Sequence, residues 1–556
     1  MAARCLVPRF VSRPVSRLVS RPVSRLASRP VSRKVAVCST PRSDIVEFLS
    51  VFFTDTYKLS HPEQYPTSII NMTAKGGFRK SFKGIDGDNR FITYGGHDFE
   101  KFLRIKWTKE DVDFADHFFS TYNIGHTQHP FPKQLFMDFI EETGGYFPVK
   151  IQALPDGSVA LVGTPIYQIT ASGKYASIVT FLETRMVQLW YPSTVATLSR
   201  MTKDIIFGYF EKTVDDEFYF LIDSRLHDFG MRGCTCMEQA KIGGIAHLLN
   251  FTGSDNGIAA ATIQYQLNNG IPYATSIPAS EHSVMMSDGE LTMVKRLIEN
   301  TPENGFISIV ADTYDYDWFL NFILPAIGDM VKAKNITLII RPDSGDPVEA
   351  VIAALNAADS VFGSNTNNKG FKVLKNSGVI QGDGININTI GPILEAVMNA
   401  GFSAQNVVFG MGGGLLQGVN RDTMSFATKL SEVIYEDDTK REVMKAPITD
   451  SGKTSLPGKI DVGKDSNGVP RVYPANDLPI GFVSDYVTIW DSGPVIKESE
   501  WPLFKDLVKK VEAEWTSLEP FKQDDPLSDV MKAKKAKKLA EIRESIKNQQ
   551  ADMLSR

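Results

Sequence analysis

Between about residues 216 and 420 the chain alternates short apolar, β-branched runs with polar or glycine-containing turns, each followed by a longer segment able to form a helix. The runs are FYFLID (218–223), FISIVAD (306–312), ITLIIRPD (336–343), GVIQGDG (378–384) and NVVFGMGG (406–413). Runs without a polar face predict strands buried on both sides, as parallel sheets require. Their polar ends gather at Phe229, Asp255, His282, Asp312, Arg341, Asp383 and Gly413, at intervals of 26 to 42 residues. That interval is the pitch of strand–helix units in an α/β barrel or a doubly wound sheet. In either architecture the carboxyl ends of the strands line one mouth, so these seven positions are expected to converge on one site.

The flanks carry a different pattern. Residues 44–215 contain strand-like pieces, PVKIQAL and SVALVGTPIYQI, whose Gly and Pro suit antiparallel pairing. The apolar stretch TFLETRMVQLWYPSTVATLSRMTKDIIFGYF (180–210) predicts a core helix leading into the barrel, and after Arg421 irregular β pattern returns, as in DYVTIWDSG. The predicted fold class is therefore α/β, a barrel or doubly wound sheet over 216–420 with a second domain assembled from both ends of the body, 44–215 and 421–516. Residues 517–556 predict a charged helical extension, with Leu539, Ile542, Ile546 and Met553 near a helical period.

Composition narrows the class. The chain has 556 residues, 42% apolar and 22% charged, enough for more than one packed unit. No apolar run is long enough to span a bilayer. Residues 1–43 hold nine Arg and one Lys with no acid, leaving the rest with 50 bases against 65 acids, so bulk charge argues against nucleic-acid binding. Arg13, Arg17, Arg21, Arg25, Arg29 and Arg33 recur every four residues, but Pro14, Pro22 and Pro30 favour an extended tail over a helix. Two readings of this tail stand side by side: an organelle transit peptide, implying a mitochondrion or plastid, or a low-complexity segment upstream of a cytoplasmic enzyme. Four cysteines argue for a reducing compartment, and Cys234 and Cys236, too closely spaced for a redox pair, are read as buried apolar residues.

The chemistry available at the predicted mouth is anionic recognition. Arg232, Arg341 and Arg421 stand beside glycines in MRG, RPDSG and GMGGGLLQGVNRD, and guanidinium forks with exposed backbone N–H groups suit phosphate. Asp312, Asp343 and Asp383 arrive at the same mouth; bare carboxylates would repel, so they call for a divalent ion, sugar hydroxyls or cationic partners. Phosphate, hydroxyl and metal together suggest a phosphorylated ribose. Phe229 could stack a flat heterocycle there.

The motifs LHDFGMRG, GSDNGIAA, SIPASEHS, ADTYDYD, LIIRPDSGDP, VIQGDGININT and FGMGGGLLQGVNRD, with DTYKLSHPEQYP near the start, resemble those of the nicotinamide phosphoribosyltransferases, type II phosphoribosyltransferases related to the nicotinate enzymes. The resemblance runs in order from about Phe52 to residue 515. It implies an irregular α/β barrel with a smaller β-rich domain, and a homodimer with shared sites that joins nicotinamide to phosphoribosyl pyrophosphate, with Mg²⁺ and stimulation by ATP. It implies a pyridine ring held between Phe229 and Tyr57 of the other subunit, Arg232 at the ring's amide and phosphate side, and Asp255 accepting from the carboxamide, with Ser276 and Ser308 also binding substrate. Asp343, Gly382 and Asp383 would address the ribose, Arg341 the pyrophosphate and sugar, and Arg79, Gly412, Gly413, Arg421 and Lys429 the phosphates. Mg²⁺ would come through the substrate phosphates, near Asp312 and Asp343.

Two residues decide between readings. Asp255 favours a neutral carboxamide and repels nicotinate, the substrate of the rival enzyme. His282 sits in SIPASEHS beside Glu281, which would support the loop or its metal. An attacking pyridine nitrogen has no proton to lose, so the resemblance implies instead that His282 takes the γ-phosphoryl group of ATP with Asp312 orienting its ring. Met231 and Met411 depart from the family's usual residues, and Ala427 replaces a phosphate-binding Ser, for which Thr428 is the expected substitute. The contrasting class, a catalytically silent nucleotide-binding regulator, would have lost Asp312, His282 or Arg341; all are present.

Overall fold

A computed structural model describes residues 50–82, 87–519 and 525–555. The Arg/Ser-rich tail of residues 1–43 lies outside the described residues. Among those described, no helix is long and apolar enough to cross a membrane.

Six strands form a curled parallel sheet in the order Gly253–Ser254, Leu226–Asp228, Val407–Met411, Ser377–Gln381, Thr337–Arg341 and Phe306–Val310. Residues 275–280 then close the curl. Thr275 makes a parallel bridge to Gly253 at one edge, and Ala279 makes another to Ser308 at the opposite edge. Ser280 N donates to Ser308 O (2.8 Å) and its hydroxyl accepts from Val310 N (3.0 Å), so both edges find partners without a seventh regular strand. The architecture is mixed α/β with an irregular barrel, as the family resemblance implies.

Four of the five predicted strands form where expected. FYFLID does not: residues Asp216–Ser224 make 3-10 turns in which Phe218 and Phe220 are exposed and only Ile222 is buried. A short apolar run does not by itself separate strand from helix, and here the strand is the more polar Leu226–Asp228, paired with Phe409, Gly410 and Met411. The stretch 180–210 is likewise two helices, Ile178–Val187 and Trp190–Thr213, divided at Gln188 and Leu189. Pro192, lacking an N–H, sits in the first turn of the second helix, where that donor has no intrahelical acceptor. Cys236 is exposed rather than buried; its sulfur accepts from Gln239 N at the start of the helix Met237–Leu248.

The second sheet is antiparallel, in the order Lys440–Glu442, Ala427–Tyr435, Ile69–Gly77, Pro165–Ser172, Val149–Ala153 and Val487–Asp491. Its strands come from both sides of the barrel sequence, with Lys75 opposite Lys429 and Gly76 opposite Thr428. Arg90 fastens the C-terminal segment to this region. Its buried guanidinium pairs with Asp88 and Asp204, donates to the carbonyls of Trp515 and Leu518, and lies 4.0 Å from the Trp515 ring. Residues Asp529–Ser555 form the predicted terminal helix, with Met531 buried and the following residues largely exposed.

Candidate active site

The carboxyl ends of the barrel strands do converge. Phe229 follows the strand Leu226–Asp228 and its N–H donates to Met411 O (3.0 Å), placing the ring over the neighbouring backbones. A Cβ on Gly410 would lie 2.1 Å from that ring, and one on Gly382 at 3.3 Å, so both glycines make room for it. Gly230 likewise permits the turn to approach the loop after Met411: a Cβ there would meet Leu416 at 2.7 Å and Gly412 O at 3.0 Å.

Under the Phe229 turn lies Asp228, which the strand-end pattern passed over. It is fully buried, accepts from Gly230 N (2.7 Å) and from Asn256 Nδ2 (2.9 Å), and burial raises its pKa against the pull of these hydrogen bonds. Asn256 also caps the helix Gly257–Thr262 and donates to Ala240 O (2.8 Å). Together they fix the position of Asp255, whose N–H donates to Asp228 O (3.1 Å) and whose carboxylate accepts a hydrogen bond from the Ser276 hydroxyl. Only the D of HDFG and the N of SDNG marked these supports in the sequence.

Phe229, Asp255, Ser276, Ser308 and Arg341 line a cavity of about 380 Å³. It continues past His227, Ile339 and Val408 to Phe306, Thr337 and Ser377, the first residues of their strands, so it follows the barrel along its length. Burial holds the His227 imidazole below its usual pKa, which favours its neutral form. Three buried polar atoms at or near the mouth have no hydrogen-bond partner among the described residues: Ser308 Oγ, Asp312 Oδ1 and Arg341 Nε. Native interiors seldom leave such groups unpaired, and three together mark a surface shaped for a polar ligand.

The acidic side of the mouth differs from the expected arrangement. His282 Nδ1 contacts Thr313 Oγ1 (3.2 Å) and Nε2 contacts Asp343 Oδ2 (3.3 Å). Asp312 is not the carboxylate on this ring; its Oδ2 accepts from the Ser344 hydroxyl. Glu281 accepts from Ser283, consistent with a loop support. Arg341 donates through Nη2 to Ser280 O (2.7 Å), which holds its fork beside the closing segment.

The remaining predicted residues occupy the rim. Arg232 is exposed in the single turn Met231–Gly233, and Asp383 is exposed beside Gly382, its carbonyl accepting from Gln381 (3.0 Å). Gly412 and Gly413 lead from the strand end into a short turn of helix. Arg79 and Lys429 form a group of their own, and Arg421, its guanidinium paired with Asp422 (3.0 Å), lies a short chain segment away. Arg79 donates to Ser425 O (2.9 Å), Arg421 O accepts from Phe426 N (3.1 Å), and Lys429 lies on the strand paired with the one preceding Arg79. Burial lowers the Lys429 pKa, with the Arg79 charge acting in the same direction and Glu183 opposing. Thr428 does not face this group: its hydroxyl bonds the buried Tyr167 OH (2.5 Å), so it does not stand in for the Ser missing at Ala427. Tyr57 is outside the cavity lining, 58% exposed, and its ring meets His61 and Lys58 of its own chain.

A closed parallel barrel with an aromatic ring, a carboxylate and an arginine at one mouth, and a separate basic group, is the apparatus of a phosphoribosyltransferase. Its relatives agree. The nicotinate phosphoribosyltransferase (NAPRTase) family pattern matches residues 224–474. A nicotinamide phosphoribosyltransferase of Xanthomonas campestris is 35% identical over 472 residues, covering 81% of this chain and 95% of that protein. The Mycoplasma pneumoniae enzyme of the same name is 32% identical, with 73% and 94% covered. The human nicotinic acid phosphoribosyltransferase structure superposes with a TM-score of 0.55 at 17% identity, covering 87% of this chain and 99% of that one, which supports the fold. The chain belongs to the nicotinate phosphoribosyltransferase family, and it is an enzyme of phosphoribosyl transfer in NAD salvage.

Proposed function

We propose that the enzyme joins nicotinamide to phosphoribosyl pyrophosphate, giving nicotinamide mononucleotide and pyrophosphate, with ATP as activating co-substrate. The observation that carries this reading is the Asp255 carboxylate on the cavity wall with Phe229 and Ser276. It can accept from a carboxamide N–H and would repel a pyridine carboxylate, while Phe229 orients the ring. Arg341, with a free Nε, and the basic residues Arg79, Arg421 and Lys429 are suited to the diphosphate and the 5′-phosphate. Gly382 and Asp383, with Arg232, complete the ribose and phosphate side of the rim.

The nucleophile is the pyridine nitrogen, which attacks C1 of the ribose as the bond to pyrophosphate breaks. No proton moves in that step, so the protein's contribution is alignment and neutralisation of the leaving charge. Among the described residues no cluster of three or more His, Cys, Asp or Glu is placed to hold a metal by itself. The unpartnered Asp312 Oδ1 and the adjacent Asp343 fit a Mg²⁺ held mainly by substrate phosphates. Mg²⁺ there would supply charge neutralisation of the diphosphate.

His282 is the phosphoacceptor for ATP in this proposal. One ring nitrogen attacks the γ-phosphorus, the bond to the β,γ-bridging oxygen breaks, and ADP leaves. Asp343 and Thr313 position the ring. The exposed Tyr57, apart from the Phe229 cavity of its own chain, fits a homodimer in which it caps the partner's pyridine site.

The primary test follows products by mass spectrometry from nicotinamide or nicotinate with phosphoribosyl pyrophosphate, with and without ATP. The expected result is nicotinamide mononucleotide in preference to the acidic product, with a higher yield when ATP is present. Preferential nicotinate mononucleotide would overturn the assignment of substrate. A second expectation concerns ring orientation: Gly410→Ala would push Phe229 from its seat and raise the KM for nicotinamide at least tenfold, equivalent to about 1.4 kcal/mol. An unchanged KM in initial-rate assays would remove Phe229 from that role.

A further inference from the structure

A second cavity, of about 360 Å³, lies apart from the barrel mouth between the start of the helix Gly96–Leu103, the strands Val149–Ala153 and Val487–Asp491, and the start of the helix Phe504–Ser517. Its wall is chiefly apolar, including Leu154, Ile489, Ile496 and Phe504. Such a size and lining match small-molecule sites.

The polar groups of this wall are few. Asp156 is buried, and its two oxygens accept from Gly96 N (2.8 Å) and His97 N (3.1 Å). Burial raises its pKa to about 6 despite these bonds, and both oxygens are already engaged by the two backbone N–H groups. The His97 and Trp501 rings stack at 4.5 Å with planes 20° apart. Trp501 Nε1 is buried and has no hydrogen-bond partner among the described residues, whereas His97 Nε2 faces the Glu498 carboxylate at 3.5 Å. An indole N–H can only donate, and leaving it unpaired costs on the order of 1–3 kcal/mol. An unpaired donor on a stacked ring in an apolar chamber suits one oxygen atom on an otherwise apolar body.

We propose that this chamber binds a neutral, predominantly apolar small molecule carrying a hydrogen-bond-accepting oxygen, which Trp501 Nε1 receives. Such a ligand would also touch Leu267. That residue ends the helical stretch Gly257–Thr262 and Ile263–Leu267, which follows Asp255 in the chain, so a ligand there touches the far end of the helix next to the substrate-reading carboxylate.

Camphor, a compact hydrocarbon cage with one carbonyl, is a suitable probe. Its binding to the full chain is measured by saturation-transfer difference NMR and titration. Trp501→Phe keeps the aromatic shape but removes the donor, and is expected to weaken binding about fivefold, one ordinary hydrogen bond of about 1 kcal/mol. Ala153→Leu fills the chamber from its wall and is expected to abolish saturable binding, with an unchanged circular dichroism melt confirming that each variant is folded. Absence of camphor binding to the unmodified chain, or an affinity that neither substitution alters, would overturn the proposal.

Discussion

In Asp255→Ser, kcat/KM for nicotinamide is expected to fall about 10- to 150-fold while use of nicotinate rises. The variant loses an acceptor whose hydrogen bond, being charged, contributes on the order of 1.5–3 kcal/mol. It also removes the negative charge that a pyridine carboxylate would meet, so the two substrates move in opposite directions. The rest of the site should tolerate the change. Asp255 is fixed through its backbone N–H to Asp228 O, and its side chain accepts from the Ser276 hydroxyl, which can pair with a serine or with water. A competition assay with both pyridines at limiting phosphoribosyl pyrophosphate reads the ratio directly. An unmoved ratio would show that selectivity resides elsewhere on the cavity wall.

His282→Ala is expected to abolish the stimulation by ATP while leaving basal transfer. Loss of a covalent nucleophile reduces its own step on the order of a thousandfold or more, so ADP release should become undetectable in a coupled assay. Basal transfer survives because the pyridine attack on C1 draws on Phe229, Asp255 and Arg341 and needs no base. Asp343 sharpens the comparison. Its carboxylate is 3.3 Å from His282 Nε2 and also faces the proposed ribose site, so Asp343→Asn should lower both activities, whereas His282→Ala separates them. Persisting ATP stimulation in His282→Ala would refute the phosphohistidine.

The exchange of Asp312 for Asp343 as the acid at the histidine illustrates where sequence reading stops. Both acids end strands predicted from the same apolar pattern, and both were placed at the mouth. Which one meets the ring depends on loop paths after the strands: Ser344 turns toward Asp312 and engages it, leaving Asp343 for the imidazole. Distances of this kind are set by packing and have no periodic signature. The same holds for Asp228 and Asn256, buried supports that look like ordinary polar residues until their shared hydrogen bond is seen.

The sequence by itself determined the parallel sheet, because strands buried on both faces must be apolar at successive positions, and it determined the convergence of Phe229, Asp255, His282 and Arg341, because parallel strands all point their carboxyl ends the same way. Only the tertiary structure decided that residues 275–280 close the barrel, that FYFLID is a surface turn with exposed Phe218 and Phe220, and which carboxylate holds His282. Periodicity records which face of an element is buried; it carries no information about which distant side chain supplies the partner, and that choice is made when the elements pack.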